Sequence, residues 1–247
     1  MTASAPDLMT LRALIFDVDG TLANTERDGH RPAFNAAFAE EGLAWHWDET
    51  FYGTLLNVTG GKERIRYYAE HFDPATRARP DFEDLLQRVH QLKTRNYQRL
   101  LGAGAIPLRA DIGQLICDAR TEGLRLAIAS SSTPQNVAGL LQANLGPRAD
   151  SWFEVIASGD IVAAKKPAPD IYLWTLKALD LPARDCLAVE DSAHGLAASL
   201  AAGIPTVVTV SDYTINERFD GARMVLAPTE GISLEQLRHW HATTGPL

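Results

Sequence analysis

The sequence predicts an α/β fold, a doubly wound parallel sheet with an all-helical domain inserted into it. Three observations carry that expectation. Short apolar runs recur at residues 12–16, 125–129, 186–189 and 205–210, each ending in polar or turn residues, as strands buried on both faces of a parallel sheet do. Helical patterns at 110–121, 134–145, 168–180 and 192–202 separate the later runs, and this alternation builds βαβ units. Between the first run and the second, residues 27–103 read as helix alone.

Taken in order, the opening MTASAPDLMT lacks both the basic start and the long apolar stretch of a signal peptide, so a short frayed terminus is expected. RALIF is the first strand. The stretches RPAFNAAFAEEG, GGKERIRYYAEHF and DFEDLLQRVHQLKTRNYQRLL form the helical insertion, and Gly102 and Gly104 offer a flexible return. The expected domains are therefore a core of residues 11–26 and 104–247 and an insertion of residues 27–103. Pro134 and Pro169 suit the first turns of their helices. Ser192 suits an N-cap and Gly203 a C-terminal stop.

Charge narrows the partners. The 247 residues carry a net charge of −8 with a pI near 5.3, a field that repels nucleic acid and anionic lipid. An anionic substrate would need a metal ion and local basic side chains to reverse the sign. No apolar run approaches the ~20 residues needed to span a bilayer, so a cytoplasmic protein without a membrane partner is expected. A monomer is compatible with the sequence, which does not specify oligomeric state. Cys117 and Cys186 sit in apolar stretches without metal-ligand spacing, and buried reduced thiols are expected.

The chemistry lies at the strand ends. Asp17-Val18-Asp19-Gly20-Thr21 follows the first strand directly, and ligands of open α/β sheets bind at the carboxyl ends of strands. One carboxylate there can attack phosphorus or bind metal while the other exchanges a proton with a leaving oxygen. Taken alone, the segment reads equally as a solvated Asx turn. Ser130 opens a Ser130-Ser131-Ser132-Thr133 cluster that could hold an anion or simply cap a helix. Lys166 precedes a helix start, where it can neutralise a phosphoryl oxygen or remain a surface charge. Glu190-Asp191 ends another apolar run, and adjacent buried acids call for a cation such as Mg²⁺. Together the four strand ends supply the groups that phosphoryl transfer requires.

This set, Asp17-x-Asp19-Gly20-Thr21, Ser130, Lys166-Pro-x-Pro-Asp170 and Glu190-Asp191, resembles the four motifs of the haloacid-dehalogenase-like (HAD) hydrolase superfamily, and the insertion resembles its C1 cap. The resemblance implies a Mg²⁺-dependent phosphatase working through an aspartyl phosphate. Asp17 would be nucleophile and metal ligand. Asp19 would be general acid/base and give its carbonyl to the metal. Ser130 and Lys166 would hold the phosphoryl group, and Asp191 would ligate the metal with Glu190 assisting. The second Asp marks phosphoryl transfer, because an alkoxide leaving group needs a proton and a halide does not.

Substrate choice falls to the insertion. In Thr59-Gly60-Gly61-Lys62-Glu63-Arg64 the glycines allow close backbone approach and a helix start aims amides at an anion. Lys62 and Arg64 could clamp a second anionic group or be solvated charges. This stretch, with Asn24-Thr25-Glu26, resembles the CbbY-type branch, which implies xylulose-1,5-bisphosphate, a misfire product that inhibits Rubisco, as substrate and a Calvin-cycle setting. By that resemblance Glu26, Lys62 and Arg64 would contact substrate, while Thr25 equally suits a hinge. A sugar phosphomutase of the β-phosphoglucomutase type is the nearest rival, although Gly29 stands where that type has a histidine and His30 lies one step on. A metal-binding regulatory protein without turnover is a third reading. His194 and the loop Ser211-Asp212-Tyr213-Thr214 border the same strand ends without a defined role. His46 and the five tryptophans read as packing residues.

Overall fold

The computed structural model describes residues 10–58, 60–228 and 230–242, so the expected frayed terminus and Thr59 lie outside the described residues. Six strands form one parallel sheet: β1 (Ala13–Phe16), β2 (Arg125–Ser130), β3 (Val155–Ser158), β4 (Cys186–Glu190), β5 (Thr206–Thr209) and β6 (Met224–Leu226), in the order β3-β2-β1-β4-β5-β6. The four apolar runs of the sequence are β1, β2, β4 and β5. Strand β1 lies between β2 and β4, which makes its carboxyl end the point where the strand order reverses and where such sheets bind ligands.

Register then sets the site. Phe16 pairs with Val189, and the Asp17 amide donates to the Val189 carbonyl at 3.0 Å. The residue after β1 is thereby held level with the end of β4, where Glu190 and Asp191 follow. The strands stay buried throughout at β1, β4 and β5, which is why they read as unbroken apolar runs.

The chain divides into two compact units, one of residues 10–24 with 107–242 and one of Thr25–Ile106. The second is all helical. A π-helical turn at Glu26–His30 leads into α1 (Arg31–Glu40), followed by α2 (Glu49–Leu55), α3 (Gly61–Phe72), α4 (Pro74–Arg77) and α5 (Phe82–Gly102). Thr25 and Glu26, read from sequence as core, fall in this unit because the π-helical turn is continuous with α1. Its interior is aromatic: Phe34, Phe38, Trp47 and Tyr52 are fully buried and pack ring against ring, mostly tilted or edge-on, at centroid distances between 4.7 and 6.2 Å. His46, between the buried Trp45 and Trp47, points to solvent.

The first unit adds α6 (Ile112–Thr121), α7 (Pro134–Leu145), α8 (Asp170–Leu179), α9 (Ala193–Ala201) and α10 (Leu234–Ala242). Ala13, Ala127, Ala129, Ala157 and Ala188 of the sheet pack in one cluster with Ile171, Tyr172 and Leu176 of α8 and Ala198 of α9. Small residues on that sheet face let the helices approach closely. Thr133 caps α7 ahead of Pro134, and Ser192 caps α9 by accepting from the Gly195 amide at 3.1 Å. Pro169 sits one residue earlier than expected, at the N-cap of α8. Gly203 follows α9 with φ +78°, a conformation that glycine adopts without steric cost. Cys186 is buried, whereas Cys117 is only half-buried, and neither forms a disulfide. Among the described residues no helix is long and apolar enough to cross a membrane.

Candidate active site

The α/β unit brings Asp17, Glu190 and Asp191 together, one carboxylate oxygen from each lying within 4.8 Å of the others, all buried. Lys166 joins them from the segment that leads into α8. Its Nζ donates to Asp17 Oδ1 at 2.7 Å and to Glu190 Oε1 at 2.6 Å. Tyr172, one turn into α8 and fully buried, donates its hydroxyl to the same Glu190 oxygen. The ammonium of Lys166 also lies 5.1 Å from the centre of the Tyr172 ring, a distance at which the ring face attracts a cation.

Electrostatics here is unbalanced by design. Three buried carboxyls face one ammonium. Burial lifts the Asp17 carboxyl to about 7 despite the opposing pull of Lys166, and repulsion from Glu190 and Asp19 adds to the rise. Asp191 is pushed well above the usual carboxylate range by burial and by Asp17 and Glu190, against a hydrogen bond from Ser211. Lys166 is itself buried, which opposes its charge, yet Asp17 and Glu190 hold its ammonium well above the ordinary value. Carboxyls so placed can be neutralised by protons or by a further cation, and hard oxygen donors of this kind suit Mg²⁺. The backbone agrees. Gly20 has φ +84°, and a Cβ there would stand 2.0 Å from Asp191 Oδ2. The turn that follows Asp19 is thus packed directly against the acidic cluster.

Asp19 and Ser130 are linked through a residue the sequence reading left in the background. Ser132 donates its hydroxyl to Asp19 Oδ2 at 2.5 Å, and its amide donates to Ser130 Oγ at 3.2 Å. A hydroxyl two residues after a strand end gives no sequence signal beyond the serine cluster itself. Tyr172 looks like an ordinary core aromatic on a helix, and only the need of Glu190 for a second donor marks it. Ser211, in the loop after β5, reaches Asp191. His194 points to solvent on the exposed side of α9.

Within the helical unit, Glu26, Tyr52 and Arg64 form one network. The Tyr52 hydroxyl donates to Glu26 Oε2 at 2.5 Å, and Arg64 donates to Tyr52 at 3.0 Å, to Glu26 Oε1 at 3.4 Å and to the Val58 carbonyl at 2.9 Å. Arg64 is therefore a braced guanidinium with a carboxylate at its side. Lys62 occupies the first turn of α3; burial lowers the pKa of His90, and the charges of Lys93 and then Lys62 add to the fall. At Gly29 a Cβ would stand 2.5 Å from Ile106 Cδ1 and 2.7 Å from Tyr97 Cε2, so close packing explains the glycine. His30 instead stacks on Tyr97 at 4.1 Å and accepts from Lys93 at 2.8 Å.

The haloacid dehalogenase-like hydrolase family model matches residues 11–203. The plasmid-borne protein CbbY of Cupriavidus necator is 47% identical over 95% of this chain and 98% of its own length. CbbY of Rhodobacter capsulatus is 46% identical, over 87% of this chain and 92% of its own. An Asp-to-Asn variant of CbbY from Rhodobacter sphaeroides, crystallised in complex with xylulose-1,5-bisphosphate, superposes with a TM-score of 0.77 at 42% identity, covering 92% of this chain and 99% of that one. A β-phosphoglucomutase from Clostridium difficile, at 21% identity and a TM-score of 0.68 over 94% of this chain and 97% of its own, shares the fold.

Proposed function

The chain belongs to the haloacid dehalogenase-like hydrolases and is a phosphatase of that family, and from that premise we propose that it dephosphorylates a sugar bisphosphate, xylulose-1,5-bisphosphate or a close analogue, through an aspartyl phosphate on Asp17. The observation that carries this reading is Lys166, held between Asp17 and Glu190 at the end of β1 beside Asp191. The complex of the Rhodobacter sphaeroides relative supports the substrate.

An Asp17 carboxylate oxygen bonds to phosphorus as the ester P–O bond breaks, and the carboxylic acid of Asp19 gives its proton to the leaving oxygen. Lys166 and the Ser130 hydroxyl bind the phosphoryl oxygens, which lowers the repulsion between an anionic nucleophile and an anionic substrate. Water then attacks the aspartyl phosphate, returns a proton to Asp19, and frees phosphate and the Asp17 carboxylate. Ser132, bonded to Asp19, holds that carboxyl in one rotamer. Asp17, Asp191, Glu190 and the Asp19 carbonyl would hold Mg²⁺, which supplies charge neutralisation at the transferring phosphoryl group. Glu26, Lys62 and Arg64 would meet the sugar and its second phosphate.

The test is phosphate release by the purified protein with Mg²⁺ across mono- and bisphosphorylated pentoses and hexoses, beside Asp17→Asn. The expected result is preference for xylulose-1,5-bisphosphate, lost in the variant. Release from monophosphates alone would overturn the bisphosphate assignment, and isomerisation of β-glucose-1-phosphate without net release would transfer the chain to the mutases.

A further inference from the structure

Arg109 lies outside the four strand-end motifs, in the segment that enters α6, yet its side chain is committed to the site. Nη1 donates to the Gly20 carbonyl at 2.5 Å and to the Thr209 carbonyl at 2.7 Å, and Nη2 donates to the Val210 carbonyl at 2.8 Å. Its amide donates to the Leu22 carbonyl at 2.8 Å, and the neighbouring Leu108 bridges to Ala23. One residue thus grips the Asp17–Ala23 turn from two sides.

The two ends it joins are the ones the chemistry uses. Gly20 follows Asp19 and packs on Asp191. Thr209 and Val210 lie beyond Val208, the last residue of β5 paired with β4, so no strand there uses their carbonyls on that side. The next residue, Ser211, bonds Asp191. A guanidinium presents its donors in a fixed planar fork, whereas an ammonium is a single point on a flexible stem. Three divergent carbonyls therefore suit arginine and not lysine.

We propose that Arg109 is a positioning residue for the proton transfer of Asp19: by fixing the Gly20 peptide against the end of β5, it holds the Asp19 carboxyl where the leaving oxygen departs. The inference rests on the reading of Asp19 as general acid. Its signature is dependence on the leaving group. An alkoxide needs the proton as the ester bond breaks, whereas nitrophenolate leaves unaided. The ratio kcat/KM reports events through the first irreversible step, here phosphoryl transfer, so later hydrolysis of the aspartyl phosphate does not mask the effect.

The experiment measures kcat/KM on β-glycerol phosphate and on nitrophenyl phosphate for the wild type, Arg109→Met, Arg109→Lys and Asp19→Asn, each checked by thermal melting. General acid catalysis typically contributes about 10²- to 10⁴-fold. Both Arg109 variants are therefore expected to lose at least about ten-fold on the alkyl ester and to stay within roughly three-fold on the aryl ester, a fraction of the Asp19→Asn pattern. Equal losses on the two esters would overturn the proposal, as would failure of both Arg109 variants to fold, which would assign the guanidinium to stability alone. If Asp19→Asn shows no selectivity either, the general-acid reading fails first and this inference falls with it.

Discussion

A methyl group added at Gly195 would stand 1.9 Å from Oε2 of Glu190. The third residue of α9 is thus packed against the carboxylate that Lys166 and Tyr172 hold from the other oxygen. Glu190 is fully buried, so it has no space into which to retreat. Gly195→Ala is expected to destabilise by about 1–3 kcal/mol through overpacking and to depress phosphate release by shifting Glu190 away from Lys166. Thermal melting and turnover with Mg²⁺ measure both. An alanine variant with wild-type melting and wild-type rate would show that the acidic pair tolerates movement.

Tyr172→Phe removes one donor from a buried carboxylate and keeps the ring that packs in the α8 cluster. Glu190 retains Lys166, so the cost falls toward the lower end of the range for an unsatisfied buried acceptor, about 1 kcal/mol. Turnover is expected to fall more than KM rises, because Lys166 is then drawn toward Glu190 and away from Asp17. A KM increase with unchanged kcat would contradict this coupling. Chemical denaturation and steady-state kinetics on the same variant decide it.

How far these residues could be read in advance depended on the kind of signal each leaves. Strands β1, β2, β4 and β5 are apolar runs because both their faces are buried, and the acids and serine at their ends stand out as polar breaks, whereas Lys166 is marked by the helix start that it precedes. Strands β3 and β6 are the two edges of the sheet and are not buried along their whole length, so neither gives the fully buried apolar run that marks an inner parallel strand. Helix α2, ETFYGTL, is too short and too rich in β-branched and aromatic residues to announce a helix. Tyr172, Ser132 and Arg109 are illegible for another reason. Each serves a site residue more than 15 positions distant through one polar atom, and sequence spacing carries no trace of such a contact.

The buried carboxyls make the metal-free protein sensitive to pH. A carboxyl whose folded pKa lies above its unfolded value holds its proton more tightly when folded, so ionising it costs stability. For Asp17 that cost is absent below about 3.8, grows as pH rises, and is complete above about 7. Asp191 shifts in the same direction. Lys166, raised above its usual value, contributes stability that persists across this window and is lost only in strongly alkaline solution. Melting temperature without metal is therefore expected to fall between roughly pH 4 and pH 7 on account of these acids. Mg²⁺ competes with their protons, so it should raise the melting temperature more above about pH 7 than near pH 5. Equal stabilisation at both values, or none from Mg²⁺, would count against the acidic cluster as the metal site.

The helical unit separates two basic residues that the sequence could not tell apart. Arg64 has three partners, Tyr52, Glu26 and the Val58 carbonyl, whereas Lys62 contributes field without bracing the fold. Arg64→Ala leaves the Tyr52–Glu26 pair without its cation and the Val58 carbonyl without its donor, so it is expected to cost about 1–3 kcal/mol of stability as well as affinity. Lys62→Ala is expected to raise KM for a sugar bisphosphate by roughly ten-fold while leaving melting within about a degree, since Lys62 is half-buried and forms no ion pair among the described residues. Arg64→Lys discriminates further, because an ammonium cannot reproduce the guanidinium fork; it should keep part of the affinity and lose the bracing. If Lys62→Ala lowers melting and spares KM, the lysine is a structural charge, and anion recognition in this unit falls to Arg64 alone.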